Sequence, residues 1–187
     1  MKILRHATLA GVFIAVSASA LAASDTGTQE FWQTPTVVGV GKVHPLPLAA
    51  YQPRPQETYN LVFSITKAAS AATDVNPSLR RVARIVNLYT SAGVPLSHLG
   101  FVAVIAGEAT DATLDDGHYR QKYGVGNPNL DLIRTLRNAG VDVAVSGQAI
   151  AERQEQTQWI TPEVTLALSG LITIADLEHQ GYVLMPL

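Results

Sequence analysis

From Tyr59 onward the chain alternates short runs of nearly unbroken apolar character with segments of helical period. The runs are YNLVFSIT (59–66), LGFVAVIAG (99–107), VDVAVS (141–146), VTLAL (164–168) and GYVLMPL (181–187). A strand with one wet face alternates polar and apolar residues, whereas a strand covered on both faces does not. These runs therefore predict a parallel sheet with helices on both sides. In NPSLRRVARIVNLYTSAG (76–93), Asn76 suits an N-cap and Pro77 the first helical position. Leu79, Val82, Ala83, Val86 and Tyr89 form the inward stripe, and Arg80, Arg81, Arg84, Asn87 and Ser91 are expected to face water, with Gly93 as the stop. NPNLDLIRTLRNAG (127–140) repeats that punctuation, with Asn127 as the expected cap, then Pro128 and finally Gly140. Helices are also expected in 109–124, after Ser146, and in SGLITIADLEHQ (169–180).

The first 58 residues do not share this rhythm. Residues 1–22 begin with Lys2 and Arg5, continue through an apolar stretch and end in small residues with the A-x-A pattern Ala20-Leu21-Ala22. That order predicts a secretory signal peptide cleaved near Ala22, hence a periplasmic protein, rather than a membrane anchor; the apolar run is short for a span of about 20 residues. Residues 23–58 carry prolines at 35, 45, 47, 53 and 55, so no helix fits them. Phe31, Trp32, Val37, Val38 and Tyr51 are too apolar for a solvated linker. An extended arm lying on the domain, or on a neighbouring subunit of a homo-oligomer, is expected.

Composition narrows the chemistry. Without Lys2 and Arg5 the balance is 11 basic to 15 acidic residues, with no basic stripe of the kind nucleic acid requires. There is no cysteine, so disulfides, thiolate metal sites and thiolate catalysis are all excluded. GVGK (39–42) lacks the first glycine and the following helix of a phosphate loop, and reads as a glycine turn in the arm. YGVGNPN (123–129) follows no strand and is not a dinucleotide fingerprint. Asp115, Asp116 and His118 form a cluster of metal-ligand types, but such a cluster at a polar helix end is more often a solvated face; no metal or other cofactor is expected. His44, His98 and His179 have no evident acidic partner in the sequence.

The ends of the strands hold the better candidates, because open α/β sheets bind ligands there. Glu108 follows the second strand at Gly107. Ser146 and Gly147 follow the third, where a helix start offers backbone N–H groups. AVSGQ is not a nucleophile elbow, and no base for Ser146 is identifiable, so a cap or turn role is expected of it.

Three stretches together resemble the DsrE/DsrF-like family: NPSLRRVARIVNLYTSAGV, the block from VAVIAGEATD to AVSGQAI, and VTLALSGLITIADLEHQGYVLMPL. The likeness covers residues 59–187, with YGVGNPNLDLI and ADLEHQGYVL among its specific pieces. It implies a three-layer α/β/α fold, a five-stranded parallel sheet, and assembly into dimers, trimers or hexamers. Several relatives carry sulfur as a cysteine persulfide. Where many read Cys-Gly-Gln after the third strand, this chain reads Ser146-Gly147-Gln148; where many have a histidine before the glycine that ends the second strand, it has Ala106-Gly107. The shape of the site carries over, with Gly107, Ser146, Gly147 and Gln148 and with Asn127 and Asn129 nearby, but the sulfur chemistry does not. The expected function is a non-catalytic periplasmic binding or assembly protein with a small-ligand pocket at the strand ends. The alternatives are a sulfur-relay component acting with a cysteine-bearing relative, and a hydrolase or transferase using Ser146.

Overall fold

In the computed structural model, which describes residues 31–187, five parallel strands form one sheet in the order β4-β3-β2-β1-β5. The strands are β1 (Tyr59–Ile65), β2 (Leu99–Ile105), β3 (Asp142–Ser146), β4 (Thr165–Ala167) and β5 (Val183–Pro186). The expected signal peptide, residues 1–22, and its cleavage point near Ala22 lie outside the described residues. The helices are α1 (Pro77–Ser91), α2 (Asp116–Tyr123), α3 (Leu130–Asn138), α4 (Gly147–Glu152) and α5 (Gly170–His179). The central strands are apolar throughout because each face is covered. Leu61, Phe63, Ile65, Phe101 and Ile105 pack with α1 and α3 on one side. Val62, Val102 and Val104 meet Ile174 and Leu177 of α5 on the other. Among the described residues no helix is long and apolar enough to cross a membrane.

The arm accounts for one misreading of the sequence. Asn87, expected to face water, is fully buried. Its Oδ1 accepts hydrogen bonds from the Thr36 and Val37 backbone N–H groups at 3.1 and 2.8 Å. Its Nδ2 donates to the carbonyls of Val40 (2.9 Å), Gly41 (3.1 Å) and Val37 (3.3 Å). One side chain of α1 thus holds the backbone of a proline-rich segment that has no ladder of its own, and Val37 joins the main core. The glycine turn fits closely. Gly41 has φ +66°, and a Cβ there would stand 2.4 Å from the Arg84 backbone nitrogen. No other residue type permits that approach.

The second helix start also differs from expectation. Asn76 caps α1 as read, accepting from Ser78 N and Leu79 N. Asn127, by contrast, is no cap, because α3 begins only at Leu130. Its Nδ2 instead donates to the Ala112 and Leu114 carbonyls, and its Oδ1 accepts from Asn129 N and Nδ2. Asn129 Oδ1 accepts from the Asn76 backbone N–H at 2.7 Å. The two asparagines tie the starts of α1 and α3 to the segment after β2.

Candidate functional site

The carboxyl ends of the parallel strands lie on one edge of the sheet, as the topology requires. Ser146 ends β3 and is the N-cap of α4, its hydroxyl accepting from the Ala149 N–H at 3.3 Å. The side chain is buried, and among the described residues that N–H is its one hydrogen-bond partner. Among the described residues no acid or imidazole is hydrogen-bonded to that hydroxyl. Gly147 gives the room expected of it, since a Cβ there would meet the Ala167 carbonyl at 3.0 Å and Leu166 at 3.6 Å. Gln148 projects from the exposed side of α4. Gly107 has φ +55° and turns the chain away from β2 into a 3-10 segment, Gly107–Thr113.

One concavity of this edge lies beside β1 and β2 rather than at the β3 turn, and another lies past the end of α4, between His118, Lys122, Arg153, Glu155 and Trp159. A pocket of about 240 Å³ is bounded by the Ala68–Ala72 loop, Asn76, Glu108, Asp111, Tyr123 and Asn129. Of the residues singled out in the sequence, Glu108 and Asn129 line it; Gly107, Asn127, Ser146, Gly147 and Gln148 do not. The expected site is therefore divided between an open pocket and a closed, capped turn.

Behind the pocket lies a charged cluster that sequence reasoning missed. The Asp111 carboxylate is nine-tenths buried. It takes an ion pair from Lys122 Nζ at 2.9 Å, another from Arg153 at 3.2 Å, and a hydrogen bond from the Tyr123 hydroxyl. Lys122 also reaches Glu155 at 2.6 Å, and the Glu155 side chain is 6% exposed. Arg153 spans to the Gly107 carbonyl at 2.8 Å, joining the β2 turn to the end of α4. Burial raises the Tyr123 hydroxyl far above its usual range, and its bond to the Asp111 carboxylate adds to the effect. Lys122 is held above its usual value although burial opposes this, because the hydrogen bonds and charges of Glu155 and Asp111 outweigh it. Gln154, between Arg153 and Glu155, adopts φ +56°, a left-handed conformation unusual outside glycine. The cluster pairs Asp111 and Glu155 with Lys122 and Arg153, while Glu155 Oε2 is buried without a hydrogen-bond partner among the described residues.

The candidate metal residues are likewise engaged. Asp115 caps α2 and pairs with His118 Nδ1 at 2.8 Å. Burial works against ionisation of Asp115, but the hydrogen bonds from His118 prevail and hold its carboxyl below the ordinary range. Asp116 bonds Arg120 and the Asn127 N–H, which lowers it too. Among the described residues no three His, Asp or Glu side chains are placed to hold a metal ion.

The family model for DsrE/DsrF-like proteins matches residues 51–187. The chain belongs to the DsrE/DsrF-like family. Among solved structures, this DsrE-like fold is similar to the ychN protein from E. coli, at 17% identity and a TM-score of 0.50, covering 70% of this chain and 100% of that one. It also matches a protein of unknown function, MTH1491 from Methanobacterium thermoautotrophicum, at 14% identity and a TM-score of 0.49, over 69% and 99% of the two chains. No curated protein matches the sequence. The likeness to ychN concerns the fold alone. The DsrE-like family is associated with sulfur relay, yet this member has no cysteine anywhere in its sequence.

Proposed function

We propose that this DsrE-like chain is an exported, non-catalytic binding and assembly component. It holds a small polar ligand in the pocket beside β1 and β2, works as a homo-oligomer in the periplasm, and carries no sulfur itself. One observation carries the reading: at the β3 turn Ser146 is buried and engaged as a helix cap. A hydroxyl without a base is a poor nucleophile, and a persulfide needs a thiolate. The pocket is smaller than the roughly 300 Å³ at which drug-sized sites begin, so its ligand has few heavy atoms. The Glu108 and Asp74 carboxylates and loop backbone at its edge favour a ligand with hydrogen-bond donors.

The test is native mass spectrometry of the protein as recovered from cells, before and after incubation with polysulfide. The reading expects no gain of sulfur, and a retained small molecule that Tyr123→Ala releases. A mass gain of one or more sulfur atoms on the isolated chain would refute it. A second reading, relay with a cysteine-bearing relative, is favoured by family membership and by Gly147, whose close approach to Ala167 keeps the form of the turn. It predicts co-purification with such a relative.

A further inference from the structure

The two faces of the sheet are unlike in charge, and both carry apolar side chains with nothing over them. Helix α1 has three arginines and no acid, and Arg80 and Arg81 have no ion-pair partner among the described residues. Arg84 reaches only the Lys42 carbonyl, which brings the arm's lysine alongside. Val38 and Leu88 stand exposed within this basic surface. Helix α5, on the opposite side of the sheet, is the reverse, with two acids and no lysine or arginine. Beyond Arg153 the chain has no lysine or arginine, but it has four acids. Glu155 and Glu163 are paired with Lys122 and Arg134, while Asp176 and Glu178 on α5 are exposed and unpaired. Beside them Leu168 and Leu171 are 72% and 83% exposed, with Leu166 and Ile172 about half exposed. Ile174 and Leu177 already face the sheet. Helix α5 is thus apolar on two sides, the pattern of a helix covered on both.

We infer that the α1–arm face of one copy seats on the β4–α5 face of a second copy, head to tail. This rests on the homo-oligomer reading above and goes further, naming the two surfaces. A second copy answers both faces at once, because each supplies the charge and the apolar area the other lacks. Pairing like with like would set arginines against arginines or carboxylates against carboxylates, which complementary interfaces avoid. The surfaces lie on opposite sides of one sheet, so the contact is heterologous and extends into a closed ring or an open filament. It also bears on the site. Leu166 and the Leu168 carbonyl flank Gly147, so the incoming copy covers the exposed side of the Ser146–Gly147 turn.

Charge reversal tests the geometry. Arg80→Glu with Arg81→Glu alters the head, and Asp176→Arg with Glu178→Arg alters the tail. All four side chains are exposed, so the fold should persist by circular dichroism. In native mass spectrometry and light scattering of the full chain, the parent should be oligomeric and each double variant monomeric. An equal mixture of the two should form mixed oligomers in which each variant contacts the other, and a chain with all four substitutions should assemble alone as the parent does. If the parent is oligomeric but only one reversal matters, like faces pair; the inference falls while the homo-oligomer reading stands. A monomeric parent overturns both.

Discussion

Replacing Asn87 with alanine should detach the arm, and the size of the effect follows from the five backbone groups this side chain serves. Two N–H donors and three carbonyls of residues 36–41 lose their partner. Leaving each unsatisfied in place would cost about 1–3 kcal/mol, far more than so short a segment can bear. The arm would instead lift off and let water satisfy those groups. The loss is then capped by what docking contributes, chiefly burial of Val37 and Val43 at about 1.5–3 kcal/mol each. A loss of about 3 kcal/mol is expected, less than the summed hydrogen bonds. At about 2–4 °C per kcal/mol for a chain of this size, Tm should fall by about 6–12 °C. Gly41→Ala should release the same segment by another route, through a Cβ placed against the Arg84 backbone. The two substitutions belong in a double-mutant cycle read by urea denaturation. If both act through arm release, the double variant should be no less stable than the worse single one, and residues 31–44 should become sensitive to protease in all three. Additive losses, or an Asn87→Ala variant as stable as the parent, would refute the clamp.

Lys122→Met should remove the cation shared by two nearly buried carboxylates, Asp111 and Glu155. A destabilisation of about 2–4 kcal/mol in chemical denaturation is expected, larger than for an exposed ion pair. In alkali, the tyrosines Tyr89, Tyr119 and Tyr123, raised mainly by burial, and Lys122, raised against burial by Glu155 and Asp111, all hold their protons more tightly in the folded chain than as free side chains. Their contribution is fully present below about pH 10 and is lost as pH rises through the higher folded values. Loss of helical circular dichroism should therefore accompany the rise in tyrosinate absorbance above about pH 10. Stability unchanged up to pH 12 would contradict this. Ser146→Cys should lower stability by about 1 kcal/mol through a weaker cap. The new thiol should be alkylated about tenfold or more slower than a free cysteine, because it is exposed only on local opening; a rate equal to that of a free cysteine would mean the turn is open.

The sheet was legible because buried parallel strands leave unbroken apolar runs, and the first helix because Asn76 and Pro77 mark its start. What escaped was tertiary. Asn87 sits at a position whose period points away from the sheet, and nothing in α1 announces that a proline-rich segment covers it. Asn127 matched the Asn-Pro punctuation of Asn76 but serves three segments rather than one helix end. The Asp111, Lys122, Arg153 and Glu155 cluster draws on three segments that read separately as polar surface. The one local signal was the density of small apolar residues around Asp111, which argues against a solvated carboxylate. The pocket wall, Ala68–Ala72, is nearly featureless in sequence, because four alanines and a serine carry no chemical signal.

The strand order has a consequence for how the chain acquires its structure. β1 is the first strand synthesised, yet one of its two neighbours is β5, paired from Leu61↔Val183 to Ser64↔Pro186. That closure spans more than a hundred residues, the kind of non-local contact that slows folding. Until Val183 and its successors leave the ribosome, the edge of β1 has no permanent partner and remains open to wrong pairing. Completion of the sheet is therefore deferred until residues 183–186 have been synthesised. A chain stalled before Val183 should behave as an aggregation-prone intermediate, because β1 then lacks its second neighbour.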